Sequence, residues 1–107
     1  MTASGTDETP VLDTLAAMTL ASVERSALSP DILILVRLAA LAAVGAPAVS
    51  YLAHVGPALE AGVTLQDVQD VLVGVAPVIG SARTMEAGKA IGEAFDFAIT
   101  VVEAELE

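Results

Sequence analysis

The sequence predicts an all-α fold of about five helices, on three observations. Apolar residues recur at helical intervals, and no segment shows a convincing period-2 alternation. Helix start signals (Thr9-Pro10, Ser29-Pro30-Asp31, Thr64-Leu-Gln-Asp67, Ser81) and glycine stops divide the chain into helix-length segments. Finally, 55% of the residues are apolar, yet the only aromatics are Tyr51, Phe95 and Phe97. Small aliphatic side chains at that density suit helices that approach one another closely.

Thr9 and Pro10 open the first helix, with the threonine at the N-cap and the proline at the first helical position, where its missing N–H costs nothing. Val11, Leu15, Met18 and Ser22/Val23 follow at helical spacing, and the pattern runs out near Ala27. Ser29-Pro30-Asp31 starts the second helix and places a carboxylate where the helix dipole favours it. From Pro30 to Val44 this helix is apolar on every side, which marks a central element surrounded by others. Gly45 ends it. The third helix runs from Pro47 to about Ala61, stops at Gly62, and contains Gly56-Pro57, which should kink it because Pro57 cannot donate to the carbonyl of Ala53. Thr64 and Asp67 form a capping-box variant opening the fourth helix, with Val68, Val71, Leu72, Val75 and Ile79 as its stripe and Gly80 as its end. Ser81 is expected to cap the last helix. There Ile91, Phe95, Ala98/Ile99, Val102 and Leu106 form one stripe, and Glu86, Glu93, Glu103 and Glu107 the wet side.

At 107 residues the chain holds one core. Residues 1–8 read as a disordered N-terminal segment and 9–107 as a single helical domain. Ile32 to Ala53 approaches the length of a membrane span with Arg37 as its only charge. Gly45 and Pro47 interrupt it, however, so each half is too short to cross and a buried hairpin is the better reading. A domain this small exposes too much surface to hide all its apolar material, so a homo-oligomer with helical interfaces is expected.

Fourteen acidic residues against four basic ones give a net charge of −10 and a pI near 4.1. Phosphate backbones and anionic membrane surfaces are repelled, so neither nucleic acid nor membrane is an expected partner. The chain has no cysteine, which excludes disulfides, thiolate catalysis and cysteine–metal sites. With no apolar leader pattern in Met1 to Thr9, a cytoplasmic location is expected. One histidine and dispersed carboxylates give no metal-ligand spacing, and no phosphate-binding glycine loop is present; no metal and no cofactor is expected.

Three side chains inside the apolar hairpin bear on chemistry. His54, the sole histidine, shares a helix face with Ser50 and Tyr51 one turn back. It is either a core histidine donating to a nearby carbonyl or a general acid/base held in an apolar wall. Arg37 needs a carboxylate or a bound anion: Glu24, Glu60 and Glu86 are structural candidates, and a substrate carboxylate is the functional one. Tyr51 is either packing or a hydrogen-bonding group for a ligand.

The stretches LVRLAALAAVGAP and LAHVGPALEAGVTLQDVQDVLVGVAPVIGSAR resemble the core of the carboxymuconolactone decarboxylase family. The shared features are an arginine-bearing apolar helix, a short turn, a histidine followed by Ala58-x-x-Ala61-Gly62-Val63-Thr64, an acidic helix start and a glycine at the next junction. The likeness spans roughly Ser29 to Gly92. It implies an all-α, alkylhydroperoxidase D-like domain that assembles through helix packing into a homo-oligomer, a trimer or a hexamer built from trimers or dimers. The peroxidase branch of that family carries a Cys-x-x-Cys pair seven and four residues before the histidine; those positions are Pro47 and Ser50 here, so the thiol mechanism is lost. The decarboxylase branch acts on a carboxylated lactone. The resemblance to it implies His54 as general acid/base and Arg37 as a carboxylate clamp; Tyr51 and Ser50, on the helix face of His54, are the further candidate substrate contacts. The alternative is a non-catalytic small-molecule-binding or structural oligomer of the same fold.

Overall fold

The computed structural model describes residues 8–106, without the side chains of residues 97–102, 105 and 106. The expected disorder of residues 1–8 therefore falls almost wholly outside the described residues. So do the contacts of Phe97, Ile99, Val102 and Leu106, and Glu107 altogether. Five helices follow in order: α1 (Pro10–Arg25), α2 (Pro30–Val44), α3 (Ala48–Glu60), α4 (Leu65–Ile79) and α5 (Ser81–Leu106). No strand occurs among the described residues.

Most boundaries follow the local chemistry. α1 stops at Arg25 rather than near Ala27, because Ser26 turns extended (φ −77°, ψ 135°) and its hydroxyl accepts the Leu28 N–H at 3.2 Å. α2 has Pro30 in its first turn and ends at Gly45, whose φ of +70° is open to glycine at little cost. There the Gly45 N–H reaches the Ala42 carbonyl and the Ala46 N–H the Leu41 carbonyl, the paired bonds of a Schellman ending. Gly62 (φ +77°) repeats the arrangement after α3: its N–H donates to the Leu59 carbonyl and the Val63 N–H to the Ala58 carbonyl. That turn drops Val63 into the core, where it is buried.

The capping box at α4 is formed in both directions. Thr64 Oγ1 accepts from the Asp67 N–H at 3.1 Å, and Asp67 Oδ2 accepts from the Thr64 N–H at 2.9 Å. Ser81 does not cap α5; it is the first helical residue. Gly80 donates its N–H to Ala76 at the end of α4 and offers its carbonyl to the Thr84 N–H, so one residue serves both helix ends and leaves no separate N-cap position.

Ile34, Leu38 and Ala42 of α2, spaced one turn apart, form the centre of the core with Tyr51, Val63, Ala87 and Ala94. Each large apolar side chain withdrawn from water here contributes roughly 1.5–3 kcal/mol. The α4 stripe residues Val68, Leu72 and Ile79 pack against this core as expected. α3 lies along α5, and α2 lies along α4. Contrary to the sequence expectation, α2 is not surrounded within the chain: Ile32, Val36 and Val44 remain exposed. The reason is α1, which buries none of its residues and leaves Val11, Leu12, Leu15, Met18, Leu20 and Val23 in solvent. No helix among the described residues is long and apolar enough to cross a membrane.

Candidate functional site

Sequence proximity on α3 puts Ser50, Tyr51 and His54 within a single turn, and helix packing decides what each one faces. His54 is half-buried, and its Nδ1 lies 2.8 Å from the Ser50 carbonyl oxygen. A carbonyl oxygen only accepts, so Nδ1 carries the proton and donates it. In the neutral ring Nε2 then holds the lone pair, which gives the imidazole a defined tautomer and a free basic nitrogen. The partner is the carbonyl one turn back, not the Ala53 carbonyl that Pro57 leaves without a helical donor.

His54 borders two cavities. One, of about 390 Å³, lies between α1, α2 and α3; Met18, Thr19 and Ser22 wall it on one side, Ile34 and Arg37 on a second, Ala53, His54 and Pro57 on the third. The other, of about 210 Å³, lies between α3, α4 and α5 and is almost entirely apolar. α3 continues through Pro57, and the proline ring itself lines the first cavity. Arg37 and His54 thus share a chamber, as their shared apolar hairpin suggests.

Arg37 is also tied to α1. Its Nη2 donates to the Ser22 hydroxyl at 3.0 Å and to the Thr19 carbonyl at 3.4 Å. None of Glu24, Glu60 and Glu86 is its recorded partner. A guanidinium carries five N–H donors, and both of these contacts use Nη2.

Tyr51 is 3% exposed and borders the smaller cavity. Its hydroxyl is buried with no hydrogen-bond partner among the described residues, and burial pushes the phenol above its ordinary pKa of 10.0. Ser50 takes part through its carbonyl on His54 and lines neither of these two cavities. Among the described residues no group of three or more metal-ligating side chains converges.

Arg83 was not singled out by sequence. Its Nη1 donates to the Ala43 carbonyl at 3.2 Å and packs against Gly45, closing the C-terminal end of α2. The legible signal was a cation in the first turn of α5, where its own helix dipole disfavours it and a foreign carbonyl must compensate.

No curated protein and no solved structure matches the chain significantly. The model of the Carboxymuconolactone decarboxylase family matches residues 9–93, a span that holds α1 to α4, both cavities' α3 walls and the first half of α5 up to Glu93. His54 sits in that span without the cysteine pair of the peroxidase branch. The chain belongs to the carboxymuconolactone decarboxylase family.

Proposed function

We propose that the protein is a thiol-independent lyase of the decarboxylase type, acting on a small carboxylated lactone with His54 as general acid/base. The observation that carries this reading is the 2.8 Å bond from His54 Nδ1 to the Ser50 carbonyl, combined with the cavity that His54 shares with Arg37. It leaves Nε2 as the exchangeable site of a ring that borders a chamber with a cation on its wall. Loss of CO₂ breaks a carbon–carbon bond and leaves its electron pair on the lactone carbon, spread into the conjugated carbonyl. His54, charged by a proton from water, delivers that proton from Nε2 to carbon, and the Ser50 carbonyl steadies the imidazolium. Arg37 holds the carboxylate that stays. Pairing with the one that leaves would stabilise the ground state more than the transition state and slow the reaction. Tyr51 borders the other side of the imidazole, and Ser50 acts through its backbone.

The test is CO₂ release from a carboxylated muconolactone. Wild-type protein is expected to turn it over, and His54→Gln to lose at least about 100-fold in rate while keeping its fold, the usual span of general acid–base catalysis. Equal rates in the two proteins defeat the reading.

The exposed apolar face of α1 favours a second, compatible reading: the chain assembles with itself through α1 and the uncovered side of α2. If His54→Gln neither binds nor turns over differently, this structural role, or binding without catalysis, is the better account of the fold. Sedimentation at micromolar concentration reads the assembly directly, and a monomer removes it.

A further inference from the structure

We propose that Ser22 of α1 is a positioning residue for the chamber that Arg37 and His54 share: its hydroxyl anchors the Arg37 guanidinium without neutralising it. Arg37 then meets a ligand carboxylate already placed and fully charged. This deepens the lyase reading, and rests on it for the identity of that carboxylate.

The first observation is what holds Arg37. Its recorded partners are the Ser22 hydroxyl at 3.0 Å and the Thr19 carbonyl at 3.4 Å, both reached by Nη2. Both acceptors are neutral. A charge withdrawn from water is ordinarily paired with an opposite charge, and such a partner cancels most of what an incoming anion would feel. The chain carries fourteen acidic residues against four basic ones, so carboxylates are the abundant partners, yet none is recorded on Arg37. Oxygen atoms of a hydroxyl and a backbone carbonyl fix the guanidinium and leave its charge intact.

The second observation is where this happens. Thr19, Ser22 and Arg37 all border the chamber of about 390 Å³ that His54 also borders. No acidic residue lies on its wall among the described residues, and Arg37 is the one lysine or arginine there. An anion in this space therefore has Arg37 to pair with and no carboxylate to repel it. An arginine that must give up its rotamer freedom to grip a ligand binds more weakly than one held beforehand, because ordering the long side chain opposes association. Ser22 removes part of that cost in advance. α1, which buries none of its own residues, thus supplies the anchor of the site's cation.

The experiment is an NMR titration that follows the methyls of Met18 and Ile34, two chamber-wall residues. The probes are a saturated γ-lactone bearing one carboxymethyl group and its neutral methyl ester. The wild type is expected to bind the acid more tightly than the ester. Ser22→Ala is expected to weaken the acid roughly 2- to 12-fold, the worth of one hydrogen bond, and to leave the ester unchanged. Ser22→Thr, which keeps the hydroxyl, is expected to bind the acid as the wild type does. Ser22 is exposed on a helix, where alanine is well tolerated, so the variant keeps its fold. Three results overturn the proposal: no preference for the acid in the wild type, unchanged acid binding in Ser22→Ala, or equal weakening of acid and ester, which marks Ser22 as a shaping contact only. Failure of Ser22→Thr to restore binding also overturns it. The probes need no turnover, so a preference for the acid that depends on Ser22 upholds the proposal even where no CO₂ is released, and the two readings fail separately.

Discussion

The Arg37 guanidinium reaches across from α2 to the Ser22 hydroxyl of α1 at 3.0 Å, and with the Thr19 carbonyl beside it forms the recorded polar tie between the two helices. α1 buries no residue of its own, so this tie carries an unusual share of its attachment. Replacing Arg37 by Met keeps the stem and removes the donors. Hydrogen exchange in α1 is expected to accelerate roughly fivefold, the equivalent of about 1 kcal/mol, with α3 and α4 unchanged. Uniform acceleration across all helices means that Arg37 stabilises the core and not the arm.

Gly45 carries a second prediction. Its φ of +70° disfavours any side chain, and a Cβ there would collide with the Arg83 guanidinium. Gly45→Ala is expected to destabilise the protein by roughly 1–2 kcal/mol from backbone strain alone, more if Arg83 is driven off the Ala43 carbonyl. Combining it with Arg83→Met separates the two contributions. If the double variant loses no less than the sum of the singles, the collision is absent and strain is the whole effect. Chemical denaturation of the four proteins is the measurement.

The alkaline limb of stability belongs to Tyr51. Burial raises its phenol above 10.0, so the folded protein keeps the proton to higher pH than the unfolded chain does. The resulting stability is fully present below pH 10.0, the ordinary value, and is lost as pH rises through the raised folded value. Thermal stability is expected to fall across that window in the wild type and to stay flatter in Tyr51→Phe. At neutral pH the phenylalanine variant removes an unsatisfied buried hydroxyl, and is expected to match or exceed the wild type by about 1 kcal/mol. As the chain has a single tyrosine, ultraviolet absorbance of the tyrosinate follows the same event directly. A midpoint at or below the ordinary value is incompatible with the buried, unpartnered ring.

Much of the fold was legible because the signals were local. Ser29-Pro30 and Gly45 bracket α2 at its observed ends, and Thr64 with Asp67 predicts a capping box that both partners complete. Where two elements compete for one residue, local reading loses: Gly80 ends α4 and begins α5 at once, displacing Ser81 from the cap. Burial was the harder part. The all-apolar text of α2 implies neighbours on every side, but nothing in the residues says whether they come from the same chain, and α1 leaves Val36 and Val44 uncovered. The same limit applies at the site. The spacing of His54, Tyr51 and Ser50 on one helix was readable, whereas the division of their surroundings into two chambers depends on how α1, α4 and α5 dock. Arg37 shows the point most clearly: a lone cation announces that a partner exists, and only the tertiary arrangement shows it to be Ser22 and not a carboxylate.

The contact between Arg83 and the Ala43 carbonyl spans 40 positions of sequence. The turn that folds α2 back onto α3 is made locally by Gly45, within a handful of residues, and can form early. Its lock arrives only after three further helices have been laid down and α5 has docked. Such long-range closures form late on the folding route, because the entropy of the intervening chain must be overcome before the contact repays it. The hairpin that carries His54 is therefore assembled before it is secured, and loss of the Arg83 clasp is felt in the rate of unfolding more than in the rate of folding.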